Sequence, residues 1–366
     1  MYMKILHIIN SLEYGGAESL LSDMACIQKR NGTDVSIIVL KDCVSGHKQK
    51  ILSNGVAYIA LSKNMSVYNP LYIFKLIRYI RKFDVVHVHL FPAQYWAGIA
   101  KMFSCRNIPM VTTEHSTMNR RRNNLIFRAI DNFFYRYIYN TTVCCSDKAF
   151  NAFCCKFPKA KAISIPNGID IERVKGAKPV DLSSVIGVDR PFIVTMVARM
   201  AYPKRQDTLI ESLTMLPSNV FVMLVGNGER GKLEELKGLA ENLGVKDRVY
   251  FLGIRDDVPS VLKASDVIVL SSEYEGLSLS SIEGMASGKP FIATNVDGLR
   301  EVVKGAGLLF ECGNAKELAD NINRLKEDRS FYDKVAKECY MRAKVYDINR
   351  MVISYNRLYR DIVGDK

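Results

Sequence analysis

Short aliphatic runs alternate with longer amphipathic segments, and this alternation constrains the fold more than any other feature of the sequence. Several runs are continuous β-branched and aliphatic stretches, which is typical of parallel strands covered on both faces. The pattern therefore predicts an α/β chain with two doubly wound domains, each the size of a Rossmann unit. The predicted strands are 4–9, 35–40, 85–90, 110–114, 141–145, 162–165, 192–197, 220–225, 249–252, 267–270, 291–294 and 308–310.

Helical segments separate these strands, and a less regular stretch divides the chain. The irregular stretch follows Asn167–Asp170 and is punctuated by Gly176, Pro179 and Gly187. A boundary at this place gives a first domain at 1–168 and a second domain at 169–366. The predicted helices are 17–30, 71–82, 93–103, 125–137, 206–216, 230–243, 279–286 and 315–326, with two more between 331 and 360.

The charge of the chain is concentrated in its first half. Residues 1–170 hold 22 Lys and Arg against 10 Asp and Glu, a net of +12, whereas the whole chain carries +13. A basic half of this kind is typical of proteins that meet nucleic acid, an anionic membrane or a polyanionic substrate. The sequence has no RNA- or DNA-binding signature, so nucleic acid is not predicted as a partner.

The composition favours a cytoplasmic protein. No apolar run approaches the roughly twenty residues that a membrane-spanning helix needs. The segment Met1–Asn10 reads as a strand, and it lacks the longer apolar core and the cleavage site of a signal peptide. Nine cysteines include adjacent pairs at Cys144–Cys145 and Cys154–Cys155, which do not match metal-binding C-x-x-C spacing and favour reduced thiols.

Two glutamates, Glu275 and Glu283, bracket a predicted strand-to-helix turn. The backbone N–H groups at a helix start are free, and the helix dipole is positive there. A ligand with a diphosphate between two polyhydroxylated groups fits this pattern, because the amides bind phosphate and each carboxylate binds a pair of hydroxyls. The alternative is a surface helix with two solvated carboxylates. The residues of the turn are Gly276, Leu277, Ser278 and Leu279.

Two cations are predicted at the same edge of the sheet. Arg199 closes the strand 192–197, and Lys204 is expected to open the helix that follows. An Arg fork and a Lys point charge can neutralise a leaving diphosphate without a metal. No D-x-D motif lies in a suitable loop. The sequence therefore predicts no essential metal and no cofactor.

Glycine loops follow two further strands. Gly15–Gly16 comes after the first strand, and Gly226 follows the strand 220–225. The first loop is not G-x-G-x-x-G, so it gives little support to an NAD site. Glycines allow a ligand to approach the backbone closely, and a helix start beside them offers free N–H groups. Plain turns are the alternative interpretation.

These elements together resemble glycosyltransferase family 4, a family of retaining enzymes with the GT-B fold. The resemblance rests on the Glu275-Gly276-Leu277 turn with Glu283 and on the strand-Arg-x4-Lys element of Arg199 and Lys204. It implies two Rossmann-like domains that face a central cleft, with the final helix crossing back to the first domain. The first domain would bind the acceptor and the second would bind the nucleotide sugar.

The resemblance also implies a role for each candidate residue. Arg199 and Lys204 would grip the donor phosphates, Glu275 would orient the sugar hydroxyls, and Glu283 would hold the ribose diol. The other implied positions are Gly15–Gly16 over the donor phosphate and acceptor, His115 beside the transferred sugar, Gly226 behind the donor, and Arg255 at the nucleotide base, mainly through its backbone.

The predicted function is transfer of a sugar from a nucleotide-diphosphate sugar to a saccharide or lipid-linked acceptor, in the assembly of a surface polysaccharide or lipopolysaccharide. In the mechanism favoured for this family, the acceptor attacks on the face from which the diphosphate leaves. Domain closure would exclude water and limit hydrolysis. Two alternatives remain open: a sugar-nucleotide epimerase of GT-B shape, and a non-catalytic subunit that binds a sugar nucleotide.

Two basic stretches of the first half interleave cations with bulky apolar residues, at 70–83 and 120–137. Such helices can lie in an anionic interface, where each cation near the surface adds about 1 kcal/mol. Lipid-linked acceptors are common in the resembling family. We therefore expect peripheral contact with the inner face of the cell membrane. The alternative is a core-facing stripe with solvated cations.

Overall fold

The chain forms two compact units, and each unit holds one all-parallel sheet. This arrangement confirms the predicted fold class of two doubly wound α/β domains. The first unit comprises Met1–Gly168 and Ile348–Lys366, and the second comprises Ile169–Asp347. The computed structural model describes residues 3–13, 15–114, 124–188, 190–228 and 230–364.

The sheet of the first unit has buried central strands and a half-exposed edge. Its strands are β1 (Lys4–Ile9), β2 (Asp34–Lys41), β3 (Ala57–Ser62), β4 (Val85–His89), β5 (Met110–Glu114), β6 (Thr141–Cys144) and β7 (Ala162–Ser164). Their order across the sheet is β3-β2-β1-β4-β5-β6-β7. The edge strand β3 has only one fully buried residue. It was not predicted, because an edge strand needs no continuous aliphatic run.

Helices pack on this sheet and connect its strands. They are α1 (Gly16–Arg30), α2 (Gly46–Ser53), α3 (Tyr72–Ile80), α4 (Ala93–Met102), α5 (Leu125–Phe133) and α6 (Asp147–Lys156). A wider π-type turn at Phe134–Ile138 continues α5. The single helix predicted at 125–137 is therefore an α-helix with a π-type end.

The second unit repeats the architecture around its own core. Its strands are β8 (Phe192–Val197), β9 (Val220–Val225), β10 (Val249–Gly253), β11 (Val267–Leu270), β12 (Phe291–Thr294) and β13 (Leu308–Phe310). Their order is β10-β9-β8-β11-β12-β13. Three of these strands, β9, β11 and β12, are buried along their whole length, which explains why their aliphatic runs predict them closely.

The helix that follows β8 in the second unit begins at Gln206, as in the predicted range 206–216, but Lys204 does not open it. Lys204 was predicted to open the helix after β8, but it ends a short 3-10 turn at Tyr202–Lys204. Arg205 then takes a left-handed conformation with φ 49°, which interrupts the helix before it begins at Gln206. The helices are α7 (Ile171–Gly176), α8 (Ser183–Ile186), α9 (Gln206–Ser212), α10 (Arg230–Asn242), α11 (Val258–Ala264), α12 (Leu279–Ala286), α13 (Arg300–Val303), α14 (Ala315–Glu327) and α15 (Arg329–Ala343).

The last helix, α16 (Ile348–Val363), belongs to the first unit. It packs against α1, and its Tyr355 and Tyr359 side chains are fully buried. These two buried aromatic side chains add a large apolar surface to the hydrophobic core of the first unit. Among the helices in the described part of the chain, none has both the length and the apolar character needed to span a bilayer.

Candidate active site

Four loops of the second unit meet at one edge of its sheet. Arg199, Gly226, Arg255 and Glu275 each follow the carboxyl end of a strand, namely β8, β9, β10 and β11. These strands are neighbours in the order β10-β9-β8-β11, and all their pairings are parallel. The carboxyl edge of an open parallel sheet is where such folds bind ligands. The predicted residues of this unit are therefore brought to one place.

Lys204 and Glu275 form an ion pair at this edge. The Lys204 ammonium donates to Glu275 Oε1, and the Ser272 hydroxyl donates to the same oxygen at 2.8 Å. The side chains of Lys204 and Glu275 are 24% and 11% exposed, so the pair is partly shielded from water. Both loops are also tied through their backbones, since Glu273 N–H donates to the Pro203 carbonyl at 2.8 Å. The other carboxylate oxygen, Oε2, makes no hydrogen bond with the residues that the structure describes.

Arg199 supplies a second cation. Its side chain is exposed, and it makes no hydrogen bond or ion pair with any other residue that the structure describes. Its backbone carbonyl accepts a hydrogen bond from Gln206 at 3.0 Å, which anchors the loop to the start of α9. The guanidinium is therefore available to an anionic group of a ligand.

Gly226 allows the ends of β8 and β9 to approach closely. It has φ 140°, and a Cβ at this position would lie 2.2 Å from the Ala198 carbonyl oxygen. Gly226 N–H donates to the Gly253 carbonyl at 2.8 Å, which joins the end of β10 to the same place. The glycine thus sets the backbone immediately before Arg199.

The turn between the two glutamates leads into α12 without a side-chain cap. Ser278 occupies the N-cap position, but its hydroxyl makes no capping bond to the helix backbone. That hydroxyl lies 3.0 Å from the hydroxyl of Ser280. Backbone N–H groups in the first turn of a helix lack partners within the helix. The start of α12 therefore offers donors and a positive dipole to an anion.

Glu283 is paired with a residue that sequence reasoning missed. Arg173 Nη2 donates to Glu283 Oε1 at 3.1 Å; the Glu283 side chain is partly buried, whereas Arg173 is exposed. Arg173 lies on α7, whose start is capped by Asp170 Oδ1 accepting from Arg173 N–H at 2.9 Å. Arg173 and Glu283 are 110 positions apart. No local pattern could have indicated their contact.

The Arg255 side chain is engaged by its own loop. Its guanidinium donates to the two carboxylate oxygens of Asp257 at 2.7 Å and 2.6 Å. This guanidinium lowers the pKa of the Asp257 carboxyl. The Arg255 guanidinium is therefore already paired, and a contact of the Arg255 backbone with a nucleotide base stays a prediction of the resemblance.

Two predicted residues belong to the other unit. Gly15 is the N-cap residue of α1, with extended backbone angles, and Gly16 begins that helix. A Cβ on Gly15 would lie 2.2 Å from Glu18 Oε2, so a larger residue there would displace this carboxyl group. Burial raises the pKa of Glu18. His115 lies outside the described residues.

Comparisons with known proteins identify the family. Residues 183–343 match the family model described as glycosyl transferases group 1, and residues 14–173 match the one described as glycosyltransferase family 4. The chain is 30% identical over 333 residues to the Escherichia coli UDP-Gal:alpha-D-GlcNAc-diphosphoundecaprenol alpha-1,3-galactosyltransferase, covering 84% of this chain and 82% of the relative. The chain belongs to glycosyltransferase family 4.

Other relatives of this glycosyltransferase agree with the assignment. N-acetyl-alpha-D-glucosaminyl L-malate synthase of Bacillus anthracis is 28% identical over 297 residues, 77% of this chain and 76% of the relative. The solved structure of Anabaena HepE with UDP and glucose matches with a TM-score of 0.85 and 24% identity, over 98% of this chain and 99% of that one. This likeness shows the GT-B fold. Family membership supports sugar transfer over the epimerase and binding-subunit alternatives.

A glycine outside the sequence-predicted set supports the Glu275 turn of the glycosyltransferase. Gly298 has φ 86°, and a Cβ there would lie 2.2 Å from the Gly276 carbonyl oxygen and 2.3 Å from that of Glu275. Gly298→Ala should push this turn away and lower turnover by about 100-fold, the scale of an ångström-sized misplacement in an active site. The measurement is kcat with saturating donor and acceptor.

Gly288→Ala is the matched control for this substitution. Gly288 also has a positive φ, 76°, but a Cβ there would meet nothing within 4 Å. It carries the same kind of backbone strain without the collision. Equal losses of turnover in the two variants would mean that strain, and not displacement of the Glu275 turn, causes the defect.

Proposed function

We propose that this glycosyltransferase moves a sugar from a nucleotide-diphosphate sugar to a saccharide or lipid-linked acceptor, with retention of anomeric configuration and without an essential metal. The observation that carries the proposal is the arrangement at one sheet edge of Arg199, the Lys204–Glu275 pair and the uncapped start of α12. At this edge, the cations and backbone N–H groups can bind a diphosphate. The carboxylates can accept hydrogen bonds from sugar hydroxyls.

The chemistry follows from where charge develops. As the anomeric C–O bond breaks, the sugar gains positive charge and the leaving diphosphate gains negative charge. Arg199, Lys204 and the N–H groups of Gly276–Leu279 would stabilise the diphosphate, which is the effect that a divalent cation supplies elsewhere. Gly15, Gly16 and His115 stay predictions of the family resemblance.

The two carboxylates take different parts of the donor in this proposal. Lys204 and Ser272 both hold Oε1 of Glu275, so the side chain is fixed and can orient sugar hydroxyls through Oε2. Glu283 lies eight residues further along, inside α12, where Arg173 holds its Oε1. We assign Glu283 to the ribose diol. Arg255 would meet the base through its backbone.

The acceptor is proposed to be lipid-linked. The E. coli relative is named for a diphosphoundecaprenol acceptor, which supports a membrane-bound substrate and a role in surface polysaccharide or lipopolysaccharide assembly. We place the protein peripherally at the inner face of the cell membrane. Its contacts there would be made by the first unit, which carries most of the positive charge.

The first unit has a surface suited to such contact. Helices α3 and α4 pack side by side, and α4 packs on the turn that continues α5. Phe74 on α3 is 73% exposed, and Leu125 and Ile126 at the start of α5 are 76% and 70% exposed. Exposed cations of the same helices are Arg78, Arg128 and Arg136. Bulky apolar side chains beside cations are the pattern of interfacial helices.

One experiment tests the function as a whole. The purified protein is screened for thermal stabilisation by UDP, GDP, ADP and their common sugars, since a ligand at about 100 times its Kd should stabilise by about 2.7 kcal/mol. The best donor is then incubated with a lipid-linked saccharide, and the anomeric configuration of the product is read by proton NMR. We expect retention and no change in rate when Mg²⁺ or Mn²⁺ is added. Inversion or strict dependence on added metal would overturn the proposal.

The membrane proposal makes a separate prediction. The protein should bind vesicles that contain anionic lipid and bind neutral vesicles weakly. Raising the salt from about 0.1 M to 1 M should release much of it, because the Debye length falls from about 10 Å to 3 Å. Replacing Arg78, Arg81 and Lys82 with Gln should cut binding, as measured by vesicle co-sedimentation. The second basic segment, with Arg120, Arg121 and Arg122, lies outside the described residues.

A charge-matched variant controls for net charge. Lys156, Lys159 and Lys161 are exposed cations near α6 and β7 of the same unit. Replacing these three with Gln removes the same charge at a different place. Equal binding losses in both variants would show that net charge, and not the α3 surface, attracts the protein. If wild-type protein does not bind anionic vesicles at low salt, the membrane proposal is excluded.

A further inference from the structure

The chain turns a corner between Lys204 and the start of α9, and one residue there has an unusual backbone conformation. Arg205 has φ 49° and ψ 45°, which lies in the left-handed region. This region is unfavourable for a residue with a side chain, because Cβ comes close to the following carbonyl oxygen. The Arg205 guanidinium pairs with Asp207 in the first turn of α9, at 2.9 Å. A strained backbone of this kind persists only where the surrounding structure fixes it.

Ser271 makes the contacts that fix this corner. It directly follows β11, and its side chain is fully buried. Its hydroxyl lies 2.7 Å from the Arg205 carbonyl oxygen and 3.0 Å from the Lys204 carbonyl oxygen. A hydroxyl has one proton, so these contacts form one three-centre hydrogen bond. The two carbonyls belong to the peptide groups on either side of the Arg205 Cα, and the hydroxyl therefore restrains both φ and ψ of Arg205.

The same segment also holds the residues on either side of this bond. Glu273 N–H donates to the Pro203 carbonyl at 2.8 Å, so three successive carbonyls, of residues 203–205, accept from residues 271 and 273. The Lys204 ammonium in turn donates to Glu275 Oε1. Lys204 is thus held by its backbone and by its side chain against one short segment, 271–275.

We propose that Ser271 is a positioning residue of the donor site and that it acts through Lys204. Its hydroxyl keeps Arg205 left-handed, and this corner directs the Lys204 side chain toward Glu275. Without the hydroxyl, Arg205 relaxes toward the right-handed region, and the peptide group that follows Lys204 rotates with it. The inference rests on the function proposed above, which assigns Lys204 to the leaving diphosphate.

The first test is the turnover of Ser271→Ala. We expect kcat to fall by about tenfold, because Lys204 keeps its charge but loses its exact position. The KM for the donor should change by less than about twofold, since the lost interaction is with charge that develops in the transition state. Ser212→Ala is the matched control. Ser212 is also fully buried, but its hydroxyl donates to the Leu209 carbonyl within α9, and its loss should leave kcat unchanged.

A second substitution, at position 205, separates positioning from a general loss of stability. Glycine takes the left-handed conformation without strain, whereas alanine keeps the Cβ that makes it unfavourable. Both substitutions remove the Arg205 guanidinium. In the Ser271→Ala background, Arg205→Gly should return kcat to within about threefold of the wild-type value, and Arg205→Ala should not.

Thermal unfolding tests the corner without any assay of sugar transfer. In the presence of Ser271, Arg205→Gly should have a higher Tm than Arg205→Ala, because the hydroxyl holds alanine in a strained conformation. In the Ser271→Ala background this difference in Tm should fall to less than about half, because alanine at position 205 can then leave the left-handed region. A wild-type protein that transfers no sugar would reject the proposed function, whereas the Tm difference would still decide whether Ser271 holds the corner.

The outcomes that would overturn the proposal are distinct. They are an unchanged kcat in Ser271→Ala, equal kcat in the two double variants, and a Tm difference that is the same in both backgrounds. If Ser271→Ala fails to fold, Ser271→Cys replaces it in every comparison, because a thiol is a weaker hydrogen-bond donor than a hydroxyl.

Discussion

Alanine in place of Arg199 or Lys204 is expected to lower turnover by about 10²–10³, the loss seen when one donor to a developing charge is removed. Both cations lie at the carboxyl edge of the second sheet, where a leaving diphosphate would gather negative charge. The two variants should differ in stability. Loss of Lys204 leaves Glu275 in a partly buried position without its cation, whereas Arg199 has no ion pair with other described residues.

The measurements are kcat with saturating donor and the midpoint of thermal unfolding. Lys237→Ala is the control, because Lys237 is an exposed cation of α10 that pairs with Glu234 on its own helix. It should keep both turnover and stability. Near-normal turnover in both Arg199→Ala and Lys204→Ala would remove the diphosphate assignment, and with it the main support for the proposed mechanism.

Glutamine substitutions at the two glutamates should have separable effects. Glu283→Gln is expected to weaken binding of the free nucleoside diphosphate by about 10–100-fold, the equivalent of a hydrogen bond to a charged group. Glu275→Gln should leave that binding almost unchanged and impair transfer, because Glu275 faces the sugar in our proposal. Calorimetric titration gives the first quantity, and the transfer assay gives the second.

A ligand that lacks one ribose hydroxyl tests whether Glu283 binds the ribose and Glu275 binds the sugar. The 2′-deoxy nucleoside diphosphate should bind wild-type protein more weakly than its ribose form, and Glu283→Gln should reduce the difference. Glu275→Gln should leave the difference in affinity between the two ligands unchanged. Equal loss of nucleoside diphosphate affinity in both variants would mean that the two carboxylates do not divide the donor between them.

The sequence predicted the buried parts of the fold better than the exposed parts. Strands such as β9 and β11 are buried throughout, so their composition is dictated by the core and their bounds are predicted correctly. The edge strand β3 and helix α2 have few buried residues and were missed. The predicted start of α9 at Gln206 is correct, but Lys204, which was expected to open this helix, ends a separate 3-10 turn, because the left-handed conformation of Arg205 is not evident from its residue type.

In the candidate site, too, some features could be predicted from the sequence and others could not. The positions of Arg199 and Glu275 follow from strand ends, which the sequence reveals. The partners of the charged groups do not, because they come from distant segments. Neither the Lys204–Glu275 pair, 71 positions apart, nor the contact of Arg173 with Glu283 has a local signature. Gly298 was missed for the same reason, since only the folded chain brings it against Gly276.

The assignment of α16 to the first unit has a consequence for synthesis of the chain. The second unit is one continuous segment whose ends adjoin, because Ile169 N–H donates to the Tyr346 carbonyl at 2.9 Å. It is thus an insertion within the first unit, and all of its residues are synthesised before α16. Domains generally fold as units during synthesis. The first unit begins earlier, yet its core stays open where Tyr355 and Tyr359 belong until α16 emerges.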